Sequence, residues 1–147
     1  MSPLPTDRAV VTTTLRVRYA ETDAMGVVYH TNYIIWFEVG RGEFSRHMGA
    51  DYRTWEQEGF MLPVTEVTCR YMSPARYGDM ITVYTWVEES RSRMVTFAYE
   101  VRMQETGKTL ATGHTVHVCI NRDGQPAQIP AAWRDAMTRR QIDAAAS

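Results

Sequence analysis

Apolar and polar residues change period three times along the chain, and each change marks a boundary between elements. Residues 1–9 carry two prolines and little pattern, and they read as a loose leader. From Val11 a run rich in β-branched residues predicts a first strand reaching about Tyr19. Between Asn32 and Met48 the apolar Ile35, Trp36, Val39 and Phe44 alternate with Glu38, Arg41, Glu43 and Arg46 at helical spacing. Thr31 or Asn32 is the expected N-cap, and Gly49 lies just past the C-terminal end. Gly40 and Gly42 inside this helix each cost about 1 kcal/mol relative to alanine, so close packing against a sheet is the expected compensation. A short second helix is expected over 51–59, capped by Asp51 and stopped by Gly59.

Beyond it the period becomes that of strands, over 61–72, 79–90, 93–104 and 108–121. The connections SPARYGD, SRS and ETG, and NRDGQP after the last run, supply turn residues, so the four runs read as an antiparallel meander. A short C-terminal helix is expected over Pro130–Ile142. The order of elements predicts a single α+β domain over residues 1–147, with a five-stranded antiparallel sheet wrapped around one long helix.

Composition narrows the class. With 44% hydrophobic and 22% charged residues the chain is too apolar for disorder. A formal charge of −1 provides no global field for nucleic acid, so no nucleic-acid partner is expected. Cys69 and Cys119 fall in predicted strands without CxxC or metal-ligand spacing, and are expected to be reduced core residues of a cytoplasmic protein with no metal. The N-terminus does not read as a signal peptide, and no run approaches the ~18 apolar residues of a membrane span, so no membrane insertion is expected.

The chemistry-bearing stretch is DAMGVVYHTNY, which begins at Asp23 and runs into the long helix. Together with IIWFEVGRGEF and the downstream YMSPARYGDMI it resembles the acyl-CoA thioesterases of the 4-hydroxybenzoyl-CoA thioesterase type, including the subgroup associated with the Tol–Pal system. The resemblance runs from about Leu15 to Asn121. It implies a hotdog fold, a homodimer or dimer-paired homotetramer, and hydrolysis of an acyl-CoA thioester with CoA as part of the substrate and no resident cofactor. By resemblance Asp23 matches the catalytic carboxylate, and Tyr29–His30 the helix entry that polarises the thioester carbonyl.

The residues can be read physically as well. Thioester hydrolysis needs a nucleophile or a base for water, which Asp23 can supply, and donors aimed at the developing oxyanion, which the first amides of a helix can supply. An isolated Asp-x-x-Gly is otherwise a turn. Gly26 suits a tight turn or close approach to substrate, and Val27 and Val28 an apolar wall. His30 contributes either its side chain or only its backbone, while Tyr29 and Tyr33 read as pocket aromatics rather than acid or base groups.

For the phosphates of CoA the candidates are Arg91 and Arg93 in a hairpin turn. Pro74, Ala75 and Arg76, whose order recurs in the resembled enzymes, are candidate substrate contacts in a strand-end loop. His114 and His117 are at i and i+3 of a strand, on opposite faces, and do not form a joint metal site. No GxSxG elbow occurs. A short aliphatic acyl-CoA is the expected substrate. The alternatives are an aromatic acyl-CoA or acyl-carrier-protein thioester, a non-catalytic acyl-thioester binder, and a hotdog hydratase or dehydratase.

Overall fold

The computed structural model describes residues 3–138. Strand β1 spans Val11–Arg16, helix α1 Thr31–His47 and helix α2 Tyr52–Glu58. Strands β2 (Val64–Tyr71), β3 (Met80–Ser90), β4 (Met94–Met103) and β5 (Thr109–Val118) follow, then helix α3 (Ala131–Thr138). The strands form one antiparallel sheet in the order β1-β3-β4-β5-β2, packed around α1 in the hotdog arrangement.

The meander expected for the last four strands holds only for β3, β4 and β5. Strand β2 pairs with β5, from Val64 opposite His117 to Tyr71 opposite Ala111, and so lies at the far edge of the sheet from β1. The connection between β2 and β3 must therefore cross the end of the sheet. Residues 72–79 make that crossing, bonded at both ends: Met72 N–H donates to Leu110 O of β5 at 2.8 Å, and Gly78 N–H to the carbonyl of Val17, just past β1, at 3.0 Å.

Local differences from the sequence reading have identifiable causes. Strand β1 stops at Arg16, because Val17 N–H turns to Asp79 O at 2.8 Å and the chain enters a 3-10 turn at Tyr19–Glu21. The end of the leader is tied down: Ala9 is buried and Arg8 donates to the carbonyls of Val87 and Glu88. His30, not Thr31 or Asn32, occupies the cap position of α1, with helical backbone and no side-chain cap bond. Helix α2 is capped by Asp51, which accepts from Arg53 N–H at 3.0 Å, and ends on left-handed Gly59. Residues 139–142 of the expected C-terminal helix lie outside the described residues.

The face that α1 buries is Tyr33, Trp36, Phe37, Gly40 and Phe44. Ile35 and Val39, expected to belong to the apolar face, remain 48% and 38% exposed, because they lie on the flank of this aromatic stripe. A Cβ on Gly40 would come within 2.4 Å of Thr85 Oγ1, and one on Gly113 of β5 within 2.4 Å of Thr68 O and 2.5 Å of the Phe37 ring. The helix approaches the sheet closely enough for the Phe37 and Tyr99 rings to stack at 4.4 Å. Gly42 has no such role, since its nearest neighbour is Arg46 of its own helix.

One polar chain crosses this core. Arg41 donates to Tyr99 OH (3.0 Å), the Tyr99 and Thr115 hydroxyls share a hydrogen bond (2.6 Å), and Thr115 Oγ1 is hydrogen-bonded to Nε2 of His117 (2.8 Å). The opposite ring nitrogen, Nδ1–H, donates to Leu62 O at 2.9 Å. Leu62 O can only accept, so the His117 ring carries a hydrogen on Nδ1. Burial, with Arg41 adding in the same direction, pushes its pKa down to about 4. His114 on the other face is exposed. Cys69 is half-buried in β2, Cys119 is buried just past β5, and both are free thiols. No helix among the described residues is long and apolar enough to cross a membrane.

Candidate active site

The turn carrying Asp23 closes on itself. Asp23 N–H donates to Val27 O, Gly26 N–H to Asp23 O, and Met25 N–H to the Asp23 carboxylate, each at 2.9 Å. Gly26 adopts φ +78°, where a side chain would be strained although the space around it is open. The Asx bond leaves the half-buried carboxylate oriented by its own turn. At the neck of the turn Thr22 bridges to Val28, and Tyr29 N–H donates to Glu21 O at 2.8 Å.

Helix α1 starts immediately beyond. Asn32 N–H is taken up by Tyr29 O at 2.9 Å and Tyr33 N–H by His30 O at 3.3 Å, which leaves the His30 and Thr31 amides as the donors of the entry. The exposed His30 ring packs between Tyr29 (4.5 Å) and Tyr71 (6.1 Å), and Tyr71 OH donates to His30 O at 2.9 Å. The buried Tyr33 hydroxyl accepts from Ala75 N–H at 3.3 Å. Burial raises the pKa of Tyr33, and partial desolvation of the hydroxyl with the neighbouring Cys69 raises that of Tyr71, so both remain phenols and neither is a base.

These groups surround a cavity of about 390 Å³. Asp23, Val27, Val28, Tyr29, His30, Tyr33 and Pro74 all line it, as do Met25, Tyr71, Met72 and Ser73. Its far wall is the crossing segment, held to the turn by Val28 N–H donating to Ala75 O at 2.9 Å. Ala75 is thus a buried clamp behind the wall. Gly26 shapes the turn without lining the cavity, and Arg76 is an exposed residue of the β2–β3 connection whose N–H donates to Asp79 at 2.8 Å. Arg91 and Arg93 are not brought to the cavity. They lie beyond the distal end of β3, an 11-residue strand, roughly 30 Å from the Asp23 end. There Arg91 pairs with Glu89.

Two residues of this region went unassigned in the sequence. Tyr71 reads as the tail of a strand, and it is the pairing of β2 with β5 that brings it over His30. Glu21 reads as a solvated acid two positions before Asp23, yet it is buried, with Trp36 Nε1–H donating to its carboxylate at 2.8 Å. Among the described residues no three His, Cys, Asp or Glu side chains converge to hold a metal.

A larger hollow of about 830 Å³ lies along the outer face of α1, between Ile35, Val39 and Gly42 and the apolar Trp55, Leu62 and Ile120. It shares no lining residue with the Asp23 cavity. The smaller cavity is the one that joins the Asp23 carboxylate to His30 at the entry of α1.

Comparison with known proteins bears on what this combination serves. Residues 17–138 match the model of the thioesterase-like superfamily. The chain is 31% identical over 107 residues to the acyl-CoA thioester hydrolase YbgC of Escherichia coli O157:H7, covering 73% of this chain and 79% of YbgC. Among solved structures it is similar to a DHNA-CoA thioesterase from Staphylococcus aureus, with a TM-score of 0.82 and 34% identity over 86% of this chain and 87% of that one. A hypothetical protein from Thermus thermophilus, TT1821, superposes with a TM-score of 0.81 and 37% identity, covering 86% and 95% of the two chains.

Proposed function

Because the chain belongs to the thioesterase-like superfamily, we propose that it hydrolyses acyl-CoA thioesters to a free acid and CoA at the Asp23 cavity. The observation that carries this reading is a turn-held carboxylate that lines one cavity together with His30, at the entry of a helix. The thioester carbonyl oxygen is directed to the His30 and Thr31 amides, which stabilise the charge that develops on it. Asp23 drives the attack by one of two routes: it takes a proton from the attacking water, or it adds to the carbonyl carbon to give an acyl–Asp23 anhydride that water then hydrolyses to the free acid. In both, the C–S bond breaks and the CoA thiolate takes up a proton that originates from that water. CoA enters with the substrate and leaves with the product, so the reaction uses no resident cofactor.

The motif favours a short aliphatic acyl group and the Tol–Pal-associated branch of the 4-hydroxybenzoyl-CoA thioesterase type. An aromatic acyl group is the second reading, favoured by the wall of Tyr29, His30, Tyr33 and Tyr71 rings. The protein is read as cytoplasmic and as a homo-oligomer, a dimer or a tetramer of paired dimers. Support for oligomerisation is the unpaired edge of β2, where Val64, Val67 and Tyr71 are exposed, and the exposed Ile35 and Val39 of α1. Arg91 and Arg93 would reach a CoA tail only from a second copy.

Free-thiol release from short, medium, long and aromatic acyl-CoAs tests the activity and ranks the substrates. Turnover of at least one ester supports the reading; binding of every ester without thiol release would replace it with the non-catalytic one. Release of water across the acyl chain instead of thiol would indicate a dehydratase.

A further inference from the structure

We propose that Glu21 is a positioning residue, which locks the Asp23 turn to the first turns of α1 and thereby sets the carboxylate against the amides that receive the thioester oxygen. The proposal rests on the thioesterase reading. Glu21 is 4% exposed, and a carboxylate buried this far is costly unless donors surround it. Both of its oxygens have them: Oε1 accepts Arg18 N–H at 2.8 Å and lies 3.5 Å from the Arg18 guanidinium, while Oε2 accepts the Trp36 indole N–H at 2.8 Å.

Its backbone carbonyl has a matching pair of partners, Tyr29 N–H at 2.8 Å and Asn32 Nδ2–H at 2.9 Å. Asn32 and Trp36 are four residues apart and so share a face of α1. One residue therefore grips the helix at two successive turns and closes the neck of the loop at Tyr29. Asp23 is two residues beyond this grip, and the His30 and Thr31 amides lie between the Tyr29 and Asn32 anchors.

A filler of the core would not need this chemistry. The position demands an acceptor at both ends of the side chain, so a glutamine, with its NH2 facing one of the two donors, has the right volume and the wrong polarity. Glu21 does not line the cavity, which separates positioning from contact with substrate.

The test compares wild type, Glu21→Gln and Trp36→Phe well below their melting temperatures. Glu21→Gln should lower kcat about tenfold or more with KM changed less than about twofold, because misplacing the reacting groups costs rate and not ground-state binding. Trp36→Phe removes the indole donor together with part of a buried ring. It should lower kcat less than Glu21→Gln, and the kcat loss in the double variant should be less than the sum of the two, because they share one bond. A folded Glu21→Gln enzyme with wild-type kcat and only a lower melting temperature would overturn the proposal. Should Glu21→Gln fail to fold, Trp36→Phe decides: a fallen kcat supports the lock, and an unchanged one overturns it.

Failure of the thioesterase reading is seen separately, as a wild type that releases no thiol from any ester. The Tyr29 amide then reports the lock directly. Its hydrogen exchange should be faster in Glu21→Gln, or in Trp36→Phe, than in wild type, and equal exchange would overturn the proposal.

Discussion

Between Glu21 and Tyr33 the chain is held by directional bonds to carbonyls, a carboxylate and hydroxyls, whereas from Trp36 to Phe44 the same helix is held mainly by stacked rings and close apolar contact. The first region borders an open cavity, where apolar burial alone would not fix atomic positions, so hydrogen bonds on both sides of Asp23 set them. The second lies under the sheet, where Gly40 and Gly113 admit the Phe37–Tyr99 stack. One end of α1 therefore governs geometry and its middle governs stability. If so, variants in the two regions should separate in what they change.

The largest separation is expected at Gly113. A methyl group there meets the Thr68 carbonyl and the Phe37 ring, and Gly113→Ala should cost about 3 kcal/mol, the upper range for overpacking a core. Thermal melting should show the loss while kcat of the remaining folded enzyme stays near wild type; a loss of kcat without a loss of stability would merge the two regions.

The core should also carry its own pH dependence. His117 is held at about 4 when folded and titrates near its ordinary 6.5 when unfolded, so the unfolded chain takes up the proton first as pH falls. Its contribution is complete above about pH 6.5 and is lost progressively down to about pH 4, a change of up to about 3 kcal/mol. Urea midpoints across this window should fall, and His117→Gln should flatten the fall.

Smaller effects are expected at the site. Tyr71→Phe removes the bond to His30 O, worth about 1 kcal/mol, and should lower kcat a few-fold without a matching drop in melting temperature. The smallest is at the distal hairpin. Replacing Arg91 and Arg93 by glutamine should raise KM for acyl-CoA about twofold at low salt and leave kcat alone, as expected of exposed charges. An equal rise for acyl-pantetheine, which lacks the nucleotide, would separate these arginines from the CoA tail.

What the sequence made legible was local. Asp23, Gly26 and the start of α1 lie within a dozen residues, and their turn and helix signals are short-range. Asp51 and Gly59 could be read for the same reason. Strand order is not local: β2 lies beside β5, and the pattern of residues 61–72 is the same whichever neighbour it has. From that one placement follow the crossing segment, the clamp at Ala75 and the position of Tyr71 over His30, none of which a meander would produce.

Helical spacing found α1 but assigned Ile35 and Val39 to its buried face, since period alone does not decide between two flanks of an aromatic stripe. Glu21 was hidden because a charged residue beside a turn is ordinarily solvated, and its donors come from Arg18 and from a helix fifteen residues away.

The most direct measurement compares wild type with Asp23→Asn on the best acyl-CoA of the panel, with CoA binding and melting followed in parallel. The two side chains have the same shape, and the amide can neither take a proton from water nor add to the carbonyl. The account predicts a fall in kcat of about 10² to 10⁴ with binding and melting temperature retained. Equal turnover in the variant would contradict it and leave Asp23 as the residue of a turn.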